Sequence, residues 1–325
     1  MGVSSKKLSE PVAHVRRIAK PWAYEANGGE RPSQPGGDLT VAAPQPREHA
    51  IPYLLGGAFH NLAFTTWGDP HAQPVLCVHG LTRNGRDFDV LANALADEFY
   101  LICPDLPGRG KSAWLADPAL YQPPGYVQAL AHLLAFIDRP VHWIGTSLGG
   151  ICAMIAAATP GNPIRRIVLN DVGPFIPRAA LARIASYVGA TPVFADLVAA
   201  EHYFRGVHAA FGALSDAQWR HMAQTSVRAL PDGTLRLHYD PAIATPFQSA
   251  APQDVDMWAL WDAIEVPMLV LRGEHSDLLL ADTFLRMESK ATNYTVPDCG
   301  HAPALMDART IGVVREFISK EAVLF

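Results

Sequence analysis

The chain has 325 residues, 49% of them hydrophobic and 18% charged, with a formal net charge of -5. That length and apolar share suit a large core, or one domain carrying an insertion. The negative balance, without a long basic run, argues against nucleic acid as the main partner, and no apolar run approaches the length of a membrane span.

Residues 1–50 are rich in proline and glycine and hold no sustained periodicity, so a loosely ordered extension or a docking arm is expected. The early basic residues (Lys6, Lys7, Arg16, Arg17, Lys20) lack the apolar stretch of a secretory signal. Order is expected to begin near Pro52. Residues 62–67 alternate as a strand, and the wholly apolar run 74–78 predicts a strand buried on both faces. Apolar spacing over 84–97 predicts a helix, followed by an apolar strand over 99–103. A helix over 126–137, a strand over 141–144, a helix over 147–159 and a strand over 164–169 continue the alternation.

The rhythm then breaks. Between 174 and 258 only helical stretches are visible (181–188, 195–204 and 216–228), interrupted by a turn at Pro231-Asp232-Gly233. Alternation resumes with a strand over 266–271, a helix over 281–289, a short strand over 294–296 and a helix over 310–320. Buried strands separated by helices predict an α/β fold, a mostly parallel sheet with helices on both faces. The expected organisation is an extension (1–50), a core (51–173 and 259–325) and a mainly helical cap insertion (174–258). Cys77, Cys103, Cys152 and Cys299 form no C-x-x-C pair. Thiols in apolar segments suit a reducing compartment, so a cytoplasmic location is expected.

The chemistry centres on Gly145-Thr146-Ser147-Leu148-Gly149-Gly150, a G-x-S-x-G sequence between a predicted strand and a predicted helix. This is the context of a nucleophile elbow: the turn strains the serine backbone, and the flanking glycines let strand and helix approach closely. The alternative is a glycine-rich turn with an incidental serine. A serine hydroxyl needs a base, and the base needs an orienting acid. In this arrangement the chain order is Ser, then Asp or Glu, then His. His301, on a loop after the last short strand, is the expected base; His202, His208, His221, His238 and His275 are weaker rivals, as are His79 and His142 upstream. Asp277, after the strand 266–271, is the expected acid. Asp171 is second choice, with Glu274 and Asp282 behind, and an N-cap role is the alternative for Asp277. The N–H groups of Leu148 and of Leu81, in His79-Gly80-Leu81, are the expected oxyanion donors, with His79 holding the loop. Gly110-Lys111-Ser112 resembles the end of a P-loop, but Asp105 stands where its first glycine belongs. The histidines make no zinc pattern, and no metal or organic cofactor is implied.

These segments together resemble the α/β-hydrolase superfamily from about Pro52 onward: His79-Gly80, the stretch Asp105 to Ser112, the elbow, Arg272-Gly273-Glu274 with Ser276-Asp277, and Gly300-His301-Ala302-Pro303. The resemblance implies a serine hydrolase with a cap over the sheet edge and Asp277 as acid. Relatives with dehalogenase or epoxide hydrolase activity carry aspartate where this chain has Ser147. A small-molecule carboxylic ester with an apolar acyl part is the leading substrate. Carbon–carbon cleavage of ring-cleavage products, lactones, thioesters and a non-catalytic role are the alternatives. The insertion is rich in aromatics (Phe175, Tyr187, Phe194, Tyr203, Phe204, Phe211, Trp219, Tyr239, Phe247, with Trp258 and Trp261 beyond), most expected in its own core and a few in an acyl pocket.

Overall fold

The apolar runs become the centre of one eight-stranded sheet in a computed structural model that describes residues 45–248 and 251–320. Its strands are β1 (Arg47–Leu55), β2 (Ala58–Trp67), β3 (Gln73–Val78), β4 (Phe99–Pro104), β5 (Val141–Thr146), β6 (Ile164–Asn170), β7 (Met268–Gly273) and β8 (Thr292–Val296). Their spatial order is β1-β2-β4-β3-β5-β6-β7-β8. β1 and β2 are antiparallel, as are β2 and β4, and every other neighbouring pair is parallel.

Period-two alternation splits each central strand between two cores. Leu76 and Val78 of β3, with Trp143 of β5, pack against α2 (Pro123–Ile137) and α3 (Leu148–Ala157). Val75, Cys77 and Ile144 pack on the opposite face against α1 (Asp89–Leu95) and α10 (Ala308–Ser319). Full burial of such side chains contributes about 1.5–3 kcal/mol each. The four cysteines are free and buried.

Order starts earlier than expected, because Arg47–Leu55 pairs with β2 across the two-residue turn Gly56-Gly57. Both glycines have positive φ (59° and 78°), which a two-residue hairpin turn requires. The first four residues of β1 are exposed and show no apolar pattern. Residues 1–44 of the expected extension lie outside the described residues. The expected helix over 84–97 instead opens as a 3₁₀ turn, Gly85–Phe88, capped by the Asn84 side chain, before α1 begins.

The stretch between β6 and β7 carries α4 (Arg178–Ala185), α5 (Leu197–Val207), α6 (Asp216–Ser226) and α7 (Thr245–Gln248). Asp196 caps α5, and Ser215 with Gln218 forms a capping box on α6. It also holds short strands that periodicity did not reveal. Val227–Ala229 and Leu235–Leu237 form a hairpin around the predicted turn, and Phe175–Ile176 pairs with Val255–Asp256 where the stretch leaves and rejoins the core. Two- and three-residue strands are too short to carry a readable alternation. Among the described residues, α8 (Trp258–Ala263) and α9 (Ala281–Met287) complete the helices before α10. The described residues make one compact unit, this stretch included.

Candidate active site

Ser147 stands between β5 and α3 at φ 51°, ψ -113°, a conformation that L-residues avoid. The flanking glycines explain how it is held there. A Cβ on Gly145 would lie 2.4 Å from the Gly149 carbonyl oxygen, and one on Gly149 only 2.0 Å from that of Val78. No other residue allows this approach of strand, turn and helix. The Ser147 amide donates to the Asn170 carbonyl (3.0 Å), which ties the elbow to the end of β6.

His301 follows β8. Its Nε2 lies 3.0 Å from Ser147 Oγ, and its Nδ1 lies 2.7 Å from Asp171 Oδ2. Asp171 directly follows β6 at φ 55° and is fully buried. A buried carboxylate is costly unless donors surround it. Here the Gly273 amide donates to Oδ1 (2.8 Å), and the Ser276 hydroxyl and the His301 imidazole reach Oδ2 (both 2.7 Å). With Nδ1–H facing the carboxylate, Nε2 is left to accept from the Ser147 hydroxyl. The loop of His301 is held both by the 174–258 stretch and by the end of β6. The Gly300 amide donates to the Ala210 carbonyl (2.7 Å), and Asn170 Nδ2 to that of Pro303 (2.8 Å).

Asp277, the expected acid, is elsewhere. Its carboxylate is half exposed and accepts from Arg183 of α4, with Nε at 2.5 Å and Nη2 at 2.8 Å. The reason is the turn after β7, where the Ser276 amide bonds back to the Gly273 carbonyl (2.9 Å). The reversal sends Ser276 inward to Asp171 and Asp277 outward to Arg183. The second-choice acid, Asp171, occupies the position beside His301.

The expected oxyanion loop lies against the serine: a Cβ on Gly80 would sit 3.7 Å from Ser147 Cβ. Leu148 is the first residue of α3, where an N–H has no intrahelical acceptor. His79 is buried and braces the loop, as expected. Its Nε2 accepts from the Leu106 amide (2.9 Å), so Nδ1–H donates to the Gly80 carbonyl (2.7 Å). Burial holds its pKa down to about 3, which keeps the ring neutral. Arg109, unremarked in the sequence, is also fully buried and donates to the Leu81 carbonyl (2.8 Å) and the Tyr126 hydroxyl (2.8 Å). The P-loop-like segment is a brace too: Asp105 accepts from the Gly85 and Lys111 amides, while Lys111 pairs with Glu48. Burial raises the Asp105 pKa to about 6.

A cavity of about 80 Å³ opens onto Ser147 and His301. Leu81 and Phe88 line it from the core, and Ile184, Tyr187, Phe211 and Met222 from the 174–258 stretch. Of the aromatics in that stretch, Tyr187 and Phe211 reach the cavity, while Phe194, Phe204, Trp219 and Tyr239 are buried and outside its lining. Among the rival histidines, His208 lines the cavity but is stacked between Phe204 and Phe211, and burial holds it well below its ordinary pKa. Among the described residues, Glu274, His275 and Asp298 are the one group spaced to hold a metal ion, and all are exposed. No helix among them is long and apolar enough to cross a membrane.

Comparison with known proteins adds relatives to this geometry. A model described as the alpha/beta hydrolase family matches residues 75–313. A 3-hydroxybutyrate-oligomer hydrolase from Cupriavidus necator is 38% identical over 287 residues, 84% of this chain and 98% of that protein. A 2-(acetamidomethylene)succinate hydrolase from Mesorhizobium japonicum is 30% identical over 209 residues, 64% of this chain and 72% of that one. The crystal structure of an alpha/beta hydrolase from Novosphingobium aromaticivorans superposes with a TM-score of 0.75 at 37% identity, covering 86% of this chain and 99% of that one.

Proposed function

The chain belongs to the alpha/beta hydrolase family, and from that premise we propose that it hydrolyses carboxylic esters, with short linear esters of hydroxy acids as its substrates. The observation that carries this reading is the continuous hydrogen-bonded series Ser147–His301–Asp171, at 3.0 and 2.7 Å, facing a cavity. Ser147 Oγ attacks the ester carbonyl carbon as His301 Nε2 takes its proton. Asp171 holds the imidazole in the required tautomer and stabilises the imidazolium. The Leu81 and Leu148 amides donate to the oxyanion. Collapse of the tetrahedral intermediate expels the alcohol, which takes the proton back from His301, and water then releases the acid from the acyl-enzyme by the same steps. Removing one oxyanion donor in such a site costs on the order of 10²–10³ in kcat.

The 174–258 stretch acts as a lid that shapes the acyl pocket through Ile184, Tyr187, Phe211 and Met222. The hydroxy-acid preference is supported by the 38% identity, over nearly the whole length, to a protein named for 3-hydroxybutyrate oligomers. The test is turnover of linear 3-hydroxybutyrate dimer and trimer beside 4-nitrophenyl esters, a thioester, a lactone and a ring-cleavage dienone, in wild type and Ser147→Ala. Release of 3-hydroxybutyrate that vanishes in Ser147→Ala is the expected result. Turnover of the dienone alone would replace ester with carbon–carbon cleavage.

A further inference from the structure

Building on the ester-hydrolase reading above, we propose that the site selects esters that bear a free carboxylate, and that Arg183 is the group that receives it. Arg183 lies on α4 in the same turn as Ile184, and both line the cavity that holds Ser147 and His301. Asp277 grips the guanidinium from the core side through Nε and Nη2, at 2.5 and 2.8 Å. A bidentate grip of this kind fixes the plane of the group and engages two of its five N–H donors. The Tyr187 hydroxyl, also on the cavity wall, makes a further side-chain hydrogen bond with the guanidinium, and the donors that remain are open to a second acceptor. Arg183 keeps 41% of its side-chain surface exposed, so a ligand can reach it.

The other cation of the cavity is built differently. Arg83 is 5% exposed and gives Nε and Nη2 to Asp87, gives Nη2 also to Ser226, and lies over the Phe204 ring at 5.2 Å. Asp87 lines the cavity with it, so the two charges cancel inside. Asp277 is not part of the lining, although it pairs with Arg183. The cavity wall therefore carries the guanidinium of Arg183 without its paired carboxylate. An anionic substrate tail is attracted there while its ester carbonyl sits at Ser147. A linear hydroxy-acid ester has that form, with an ester inside and a carboxylate at one end.

The experiment compares two substrates that differ only in charge, the 3-hydroxybutyrate dimer and the same dimer with its terminal carboxylate converted to a carboxamide. The ratio of their kcat/KM values is measured in wild type, Arg183→Gln and Arg183→Lys. Wild type is expected to prefer the acid. In Arg183→Gln the ratio should fall about ten- to a hundredfold, with the loss in KM for the acid, as befits a charge-assisted contact. Arg183→Lys should restore part of it, because a lysine keeps the charge without the planar fork. If Arg183 merely latches the helix to the core, both substrates lose equally and the ratio stays put, which overturns the proposal. Equal use of acid and carboxamide by wild type overturns it too, while leaving the ester reading intact. No turnover of either dimer or of 4-nitrophenyl acetate overturns both.

Discussion

Two loops at the same edge of the sheet each present an aspartate, and they put it to opposite uses. After β6 the chain gives Asp171, fully buried and met by the Gly273 amide, the Ser276 hydroxyl and His301. After β7 it gives Asp277, half exposed and paired with Arg183. Strand position alone would let either reach the histidine. What separates them is direction: a left-handed residue at 171 turns its side chain along the sheet edge, whereas the tight turn 273–276 turns the next aspartate out. In the proposed mechanism the first loop supplies the acid. The second braces it through Ser276 and Gly273, and carries its own acid to the mouth of the cavity.

The sharpest break of this comparison is Asp171→Asn against Asp277→Asn. The first should lower kcat by roughly 10⁴ with the fold intact by circular dichroism, since an asparagine favours the wrong imidazole tautomer. The second should stay within about tenfold in kcat, because its carboxylate touches no reacting group. A large kcat loss on Asp277 instead would reverse the assignment of the two loops.

Gly273→Ala comes next. A Cβ there would lie 2.3 Å from the Gly300 carbonyl oxygen and push the brace away from the histidine loop. Misplacement of that order costs about 10² in kcat, to be read by steady-state kinetics beside thermal unfolding.

Ser276→Ala removes one hydrogen bond to the buried carboxylate and leaves the Gly273 amide and His301 in place. The expected fall in kcat is about tenfold. An unchanged kcat would mean that Ser276 only shapes the turn.

The same contrast of buried and exposed groups sets the smallest effect, on stability against pH. His79 is held at a pKa of about 3 and His142 at about 4, both through burial. A histidine with a folded pKa below its unfolded value stabilises the fold fully above about 6.5. That stability is lost as pH falls from there toward the folded pKa. His142→Gln should therefore flatten the dependence of unfolding free energy on pH between 6 and 5, by about 1.4 kcal/mol per pH unit. Urea titrations at those pH values measure it.

The sequence by itself determined the sheet and the strand–serine–helix turn, and it singled out the histidine that lies beside the serine. Wholly apolar runs such as 74–78 can only be strands buried on both faces, and Gly145 and Gly149 are needed wherever strand, serine and helix pack so closely. These are local properties, carried by consecutive residues. Where the described order begins was less legible, because the outer half of β1 is exposed and only its pairing with β2 reveals it. The small strands of the 174–258 stretch were hidden because two or three residues carry no readable alternation. Which aspartate lies beside His301 was decided by tertiary structure alone. Asp171 and Asp277 are both aspartates after buried strands, and no periodicity records which way a turn aims a carboxylate. Asp171 prevails because the strand neighbours β5 and β7 bring Ser147 and the Gly273–Ser276 donors to its side. Asp277 meets Arg183 only because the inserted helix α4 returns over the sheet edge, a contact between residues 94 positions apart.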